Sequence, residues 1–192
     1  MIAKFAKKIN EILIQKGIVQ KEDAELYRYG IENGIVVAGN LLASGIFGIV
    51  TGRPGLVLVF LLFYASLRSY SGGSHCKSRI GCFLISMAIL SIPVYTHEFV
   101  MNNVPATVIL MIGIAAVVVI LILSPVESIN KPLDDEEKKY YARVTHCIVA
   151  LQVCVLIILF CLGVKDYFYA GYSSIVPVSY THLRAHETSQ DL

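Results

Sequence analysis

Long apolar blocks separated by short polar stretches make up most of the chain, and only its start departs from that pattern. There Ile2, Phe5, Ile9, Ile12 and Leu13 recur at helical spacing, while Lys4, Lys7, Lys8, Glu11 and Lys16 take the positions between them. The pattern predicts an amphipathic helix lying on an anionic membrane surface and ending near Gly17. A short polar helix over Lys21–Arg28 then leads into a first apolar block at about 30–50. This block carries Glu32, Asn33 and Asn40, polar groups that hydrocarbon cannot satisfy and that should face other helices. Thr51-Gly52-Arg53-Pro54-Gly55 reads as a tight turn. Further blocks follow at about 55–70, at 80–95 with Pro93 breaking its end, at 104–123 and at 144–163. His97–Asn103 and Ser124–Arg143 are the connections, the second being the longest. Each block is near the roughly 17–25 residues that a bilayer asks of a helix, the second and third being short.

The expected fold is therefore all-α: a polytopic membrane helix bundle with five full spans, a truncated sixth beginning at Tyr167, and an N-terminal amphipathic helix. Three regions are expected: helices on the cytosolic face over 1–28, a transmembrane domain over 29–175, and a tail over 176–192. That tail, Val176-Pro-Val-Ser-Tyr-Thr-His-Leu-Arg-Ala-His-Glu-Thr-Ser-Gln-Asp-Leu192, is a polar run unlike anything before it. It resembles translated adapter or vector sequence and is read as non-native.

Composition supports the membrane reading. Hydrophobic residues make up 56% of the 192 residues and charged ones 16%, against about 25% charged in a typical soluble domain. With no Trp, the 11 Tyr and 8 Phe must form any interfacial aromatic belt. The start has basic residues but no following apolar run or small-residue cleavage site, so no removable signal peptide is expected. Charge sets the orientation. With the N-terminus cytosolic, thirteen basic residues fall inside, from Lys4 to Arg143, against Arg53 and Lys165 outside. The positive-inside rule thus predicts a multi-pass protein of the cell membrane whose N-terminus and 68–82 segment are cytosolic. The five Cys lie in or near apolar spans or inside loops, which points to reduced thiols rather than a disulfide framework.

The polar island from Arg68 to Cys82 offers a nucleophile and a base together. Cys82 falls in the first turn of the third span, where free N–H groups and the nearby Lys77 and Arg79 favour a thiolate. His75 is the candidate base. Seven residues along one straight helix would separate the two by about 10 Å at ~1.5 Å per residue, too far for a hydrogen bond. They can meet only if the chain folds back, and Gly72-Gly73 and Gly81 supply the freedom for that bend. Cys76 is an alternative nucleophile, though its side chain and that of adjacent His75 would point apart in an extended loop. A metal site from His75, Cys76 and Cys82 lacks an evident fourth ligand and the usual Cys pair spacing, so no metal and no cofactor are expected. Cys147, Cys154 and Cys161 repeat every seven residues, a stripe read as helix packing.

Arg68-x₄-Gly73-x-His75-x₆-Cys82, the entry Tyr29-Gly30-Ile31-Glu32, and the loop Ser124-Pro125-Val126-Glu127-x₂-Asn130-Lys131-Pro132-Leu133 together resemble the AgrB family over about residues 1–175. The resemblance implies a membrane cysteine endopeptidase of quorum sensing that processes the precursor of a cyclic autoinducing peptide. It implies His75 and Cys82 as the catalytic pair and an AgrD-like precursor peptide as substrate. Cleavage would pass through a thioester acyl-enzyme, and a thiol of the peptide would then displace Cys82 to close a thiolactone. Arg68 would clamp a substrate carboxylate or anchor the span end by snorkelling. Glu32 would orient His75 or pair with Arg68, or serve simply as an interfacial carboxylate. Gly73 would meet a backbone requirement, and Lys131 would attract an acidic peptide tail or belong to a solvated loop. The departure from the family is the missing full sixth span.

The other expected partners are the lipid bilayer and, as an assembly, a homodimer; no nucleic acid is expected. No Gly-Lys-Ser/Thr sequence follows the glycine pair, so no phosphate cradle is indicated. Two rival functions stand beside the peptidase: a non-enzymatic membrane scaffold or small peptide exporter, and a membrane metal or redox protein using its thiols.

Overall fold

A computed structural model describes residues 2–72, 79–126 and 134–190, with side chains described from Gly81 in the second segment and as far as Leu183 in the last. Seven α-helices form among these residues: α1 (Ile2–Gln15), α2 (Ala24–Val50), α3 (Pro54–Ser71), α4 (Arg79–Asn103), α5 (Ala106–Leu123), α6 (Asp135–Cys161) and α7 (Lys165–Gln190). Five stretches, namely Lys21–Val50, Pro54–Ser71, Gly81–Asn103, Ala106–Leu123 and Asp135–Cys161, are long and apolar enough to cross a membrane. The all-α polytopic bundle is thus observed, and the apolar side chains it leaves uncovered, such as Leu110, Met111 and Ile122 on α5, are those a bilayer would solvate.

The chain divides into two compact units, 1–46 and 47–192. In the first, α1 carries its cations and apolar residues on separate faces and closes in a Schellman motif, Gly17 N–H donating to Ile14 O and Ile18 N–H to Leu13 O. Asn10 Nδ2 donates to Ala24 O at 2.7 Å and so ties α1 to the first turn of α2.

In the second unit, α7 packs against α3, α4, α5 and α6. One core joins Leu67, Ala116, Ile120, Val149, Leu156 and Ile175, and another joins Leu56, Val57, Phe60, Leu90, Val94 and Ala170. Small residues let the helices approach: Tyr172 lies over Gly113, and Phe63 and Leu156 close on Gly171. Only one stripe of α5, Ile109, Ala116 and Ile120, is buried, so this almost purely aliphatic helix has one face committed to protein.

Two boundaries and one packing face differ from the sequence reading. α4 runs through Pro93 to Asn103, so His97–Asn103 is helical rather than a connection. The proline withholds one N–H, yet it is fully buried against neighbouring helices, whose packing holds the helix together around the missing bond. α6 begins at Asp135, not near residue 144. Asp134 caps it, accepting from Glu137 N–H at 2.7 Å, while the Glu137 side chain faces Asp134 N–H at 3.4 Å. The acidic run that reads as a solvated loop is a capping box whose charges also suit the positive end of the helix dipole. Finally, Cys147, Cys154 and Cys161 are all exposed. α6 packs through Thr145, Val149, Gln152 and Leu156 instead, on the opposite side of the helix, so the cysteine stripe does not pack within the bundle.

α7 continues past Ile175 without a break to Gln190, with Pro177 inside it, and Val178, Ser179 and His182 are buried.

Candidate active site

α3 ends at a glycine that no other residue could replace without strain. Gly72 has φ 75° and ψ −151°, a region open essentially to glycine alone. Its backbone pairs with Val126 in a parallel bridge, and Val126 N–H donates to Ser71 O at 3.0 Å. A Cβ on Gly72 would run into the Val126 carbonyl oxygen. The bridge has a topological consequence. Segments 73–78 and 127–133 lie outside the described residues, but both leave the described fold from this one point.

Arg68 stands one turn before the end of α3. Its Nη1 donates to Gly72 O at 2.8 Å and to Thr181 Oγ1 at 3.0 Å, so the guanidinium closes the end of α3 by holding an otherwise orphaned carbonyl. Ser71 is fully buried. Its carbonyl also accepts from His182 Nε2 at 3.0 Å. Cys82 lies on α4 three residues after its first residue, Arg79, and is half-buried and unbridged. The first four N–H groups of that helix have no partner within it, so the thiol sits where an anion is favoured.

The sequence-predicted residues divide as follows. Arg68 and Cys82 are in the second unit, at the end of α3 and the start of α4. Glu32 is in the first unit, on α2, with Oε1 3.9 Å from Arg28 Nε. His75, Gly73 and Lys131 lie outside the described residues, as does Cys76. Among the described residues no cluster of three or more His, Cys, Asp or Glu side chains could hold a metal.

Sequence reasoning missed Val126 and Ser71, which act through backbone atoms and so leave no side-chain signal. The nearest hint was the glycine pair 72–73, where one member carries the positive φ. It also missed a second polar cluster about 27 Å along α3, at ~1.5 Å per residue over 18 residues. There Arg53 Nη2 donates to Glu98 Oε1 at 3.0 Å and Nη1 meets the His97 ring, which is only 4% exposed; Asp166 Oδ1 lies 3.8 Å from His97 Nε2.

Comparison with known proteins gives the family of the chain. An AgrB-like protein of Clostridium perfringens strain SM101 is 28% identical over 144 residues, which is 72% of this chain and 67% of that protein. A second AgrB-like protein, from Clostridium perfringens strain 13, is 29% identical over 146 residues, again 72% and 67% of the two chains. No solved structure matches. The family model for AgrB, accessory gene regulator B, matches residues 4–182, nearly the whole chain and both units of the fold; the chain belongs to the AgrB family, as a multi-pass membrane protein with a role in the accessory gene regulator system.

Proposed function

We propose that the chain is a membrane cysteine endopeptidase that cleaves an AgrD-like autoinducing peptide precursor, with Cys82 as nucleophile and His75 as general base. The observation that carries this reading is the placement of Cys82 in the first turn of α4, where the segment holding His75 enters the helix, in a chain of the AgrB family. The Gly72–Val126 bridge supports it further by starting the His75 segment and the Lys131 segment side by side.

In this reading Cys82 Sγ attacks the scissile carbonyl while His75 takes the thiol proton. The C–N bond breaks and the imidazolium returns the proton to the leaving amine, which departs with the C-terminal fragment. The N-terminal part stays bound as a thioester on Cys82. A thiol of the peptide then gives its proton to His75, attacks the same carbonyl and expels Cys82 as thiolate, closing a thiolactone and leaving the Cys82 thiolate beside the His75 imidazolium. One thioester replaces another, so ring closure is nearly neutral in bond energy and must outrun hydrolysis, a reason to place the site at a membrane edge. Arg68 and Lys131 engage the substrate's carboxylates, Gly73 gives the His75 segment its bend, and Glu32 serves as an interfacial carboxylate of its own unit. The catalytic face is cytosolic, as the distribution of basic residues predicts, and the homodimer is the assembly proposed. Residues 176–192 are proposed to be non-native, so Thr181 and His182 are given no part in the chemistry.

Co-expression with the small peptide gene beside it tests the assignment. Cleavage of the peptide should be lost in Cys82→Ala and in His75→Ala. Undiminished cleavage in Cys82→Ala would end the peptidase reading, and loss of cleavage only on chelation would favour a metal protein.

A further inference from the structure

One side of α6 bears a shallow cavity of about 560 Å³ lined by Lys139, Ala142, Arg143, His146, Cys147 and Ala150. These positions recur three and four residues apart and so share one helix face. The face has two chemically different halves. At the N-terminal end stand Lys139 and Arg143, both exposed and neither with an ion-pair or hydrogen-bond partner among the described residues. Toward the C-terminal end Cys147 and Ala150 make a floor of small, apolar side chains, while Ala142 leaves room between the two cations. His146 pins the boundary between the halves, its Nε2 donating to Leu121 O at 3.2 Å near the C-terminal end of α5.

Depth in the bilayer explains the division. The 27 residues of α6 extend about 40 Å at 1.5 Å per residue, whereas the hydrocarbon layer is about 30 Å thick. About seven residues must therefore stand outside it. The charged residues of the helix all lie at or before Arg143 and its longest apolar run, Val153–Cys161, closes its C-terminal end, which assigns the surplus to the first two turns. Lys139 then lies among the headgroups and Arg143 at their inner edge, its apolar stem reaching outward. Cys147 and Ala150 lie at acyl-chain depth.

We propose that this face binds an anionic phospholipid, its phosphate held by Lys139 and Arg143 on either side of Ala142 and one acyl chain lying over Cys147 and Ala150. Charge complementarity and depth together select this occupant. An acidic peptide arriving from water would meet Asp135, Glu136 and Glu137, all exposed in the first turn of the helix, before it met the cations, and it has nothing to place in the apolar half. A lipid approaches from the bilayer side and meets cations and channel at once.

Native mass spectrometry of the full chain in a neutral detergent, titrated with phosphatidylglycerol or with phosphatidylcholine of the same acyl chains, reads the site. The tightest phosphatidylglycerol adduct should form about tenfold more readily than the phosphatidylcholine adduct, each cation near an anionic lipid surface contributing to the preference. Lys139→Gln with Arg143→Gln should remove that preference, weakening the phosphatidylglycerol adduct more than the phosphatidylcholine adduct. Ala150→Phe keeps both cations but fills the channel, and should weaken both adducts; it serves as the deciding variant if the double substitution does not fold. Equal binding of the two lipids by the wild type, or an unchanged preference in the double variant, would overturn the proposal. So would displacement of the lipid by a soluble glutamate-rich peptide, which would give the stripe to a peptide instead. Peptide cleavage is not among the readouts, so the result stands apart from the peptidase assignment.

Discussion

Gly72 and Val126, 54 positions apart in sequence, pair through their backbones and fix the point from which two polar segments depart. Replacing Gly72 by Ala combines two penalties. The backbone region held by Gly72 is essentially closed to other residues and costs them on the order of 1–3 kcal/mol, and the new Cβ would collide with a backbone carbonyl that no rotamer change can move. Gly72→Ala should therefore lower the thermal stability of the purified protein measurably and reduce peptide processing more than Gly30→Ala, where a Cβ meets open space. Processing and melting temperature equal in the two variants would show that the bridge does not matter to the site.

Two buried polar side chains on α6 make opposite predictions. Gln152 Nε2 donates to Phe63 O at 2.8 Å and to Ser66 Oγ at 3.0 Å on α3, a cross-helix contact of a kind worth about 0.6 and at most about 1.7 kcal/mol in membrane bundles. Gln152→Leu should destabilise by about 1 kcal/mol. Thr145 is fully buried and its Oγ1 has no partner among the described residues. Exchanging that hydroxyl for a methyl removes an unsatisfied group, so Thr145→Val should be neutral or stabilising by up to about 1 kcal/mol. Thermal unfolding in detergent compares the two. A large loss in Thr145→Val would mean that the hydroxyl has a partner among residues 127–133 or 73–78.

At the other end of α3, Arg53 joins the turn before that helix to α4 through Glu98 and the buried His97. A guanidinium reaches both with separate nitrogens of one rigid planar fork, a span that the single nitrogen of an ammonium does not reproduce. Arg53→Lys should therefore recover little of what Arg53→Ala loses, about 1 kcal/mol given that the Arg53 side chain is one-third exposed. The same cluster is far from Cys82, so processing per folded molecule should be unchanged. A fall in specific processing at constant folded amount would tie this end of the bundle to catalysis.

The fold was legible because hydropathy blocks and bilayer thickness leave few choices, and the glycines at 17 and 52 marked real helix ends. What misled was punctuation read without tertiary context. Pro93 signals a break, but burial of the proline supplies the packing that keeps α4 whole. Asp134 and Glu137 read as loop charges, although their three-residue spacing is that of a capping box. The cysteine repeat has a helical period, but period alone gives a shared face and not which face is buried; Thr145, Val149, Gln152 and Leu156 hold the same kind of register on the other side. Of the site, the sequence exposed side-chain chemistry at Arg68, His75 and Cys82. The backbone pairing at Ser71, Gly72 and Val126 carries no residue-type signature beyond one glycine.

The last prediction concerns 176–192. α7 lies against α3, α4, α5 and α6, and its first half fills that slot with Tyr169, Ala170, Gly171, Ser174 and Ile175. Beyond Ile175 the same slot receives Val178, Ser179 and His182, the last at the end of α3 with its imidazole against the Ser71 carbonyl, and the family match runs on to residue 182. If residues 176–192 are nonetheless non-native, as proposed, intact genomic DNA should diverge from this reading frame after about residue 175 and encode a continuing apolar helix. A chain carrying that helix should cleave the peptide at a higher rate, and should melt several degrees higher, than the chain ending in Val176–Leu192. A continuous genomic frame encoding Val176–Leu192, together with full activity of the chain as it stands, would establish the tail as native and make Thr181 and His182 genuine partners of Arg68 and Ser71.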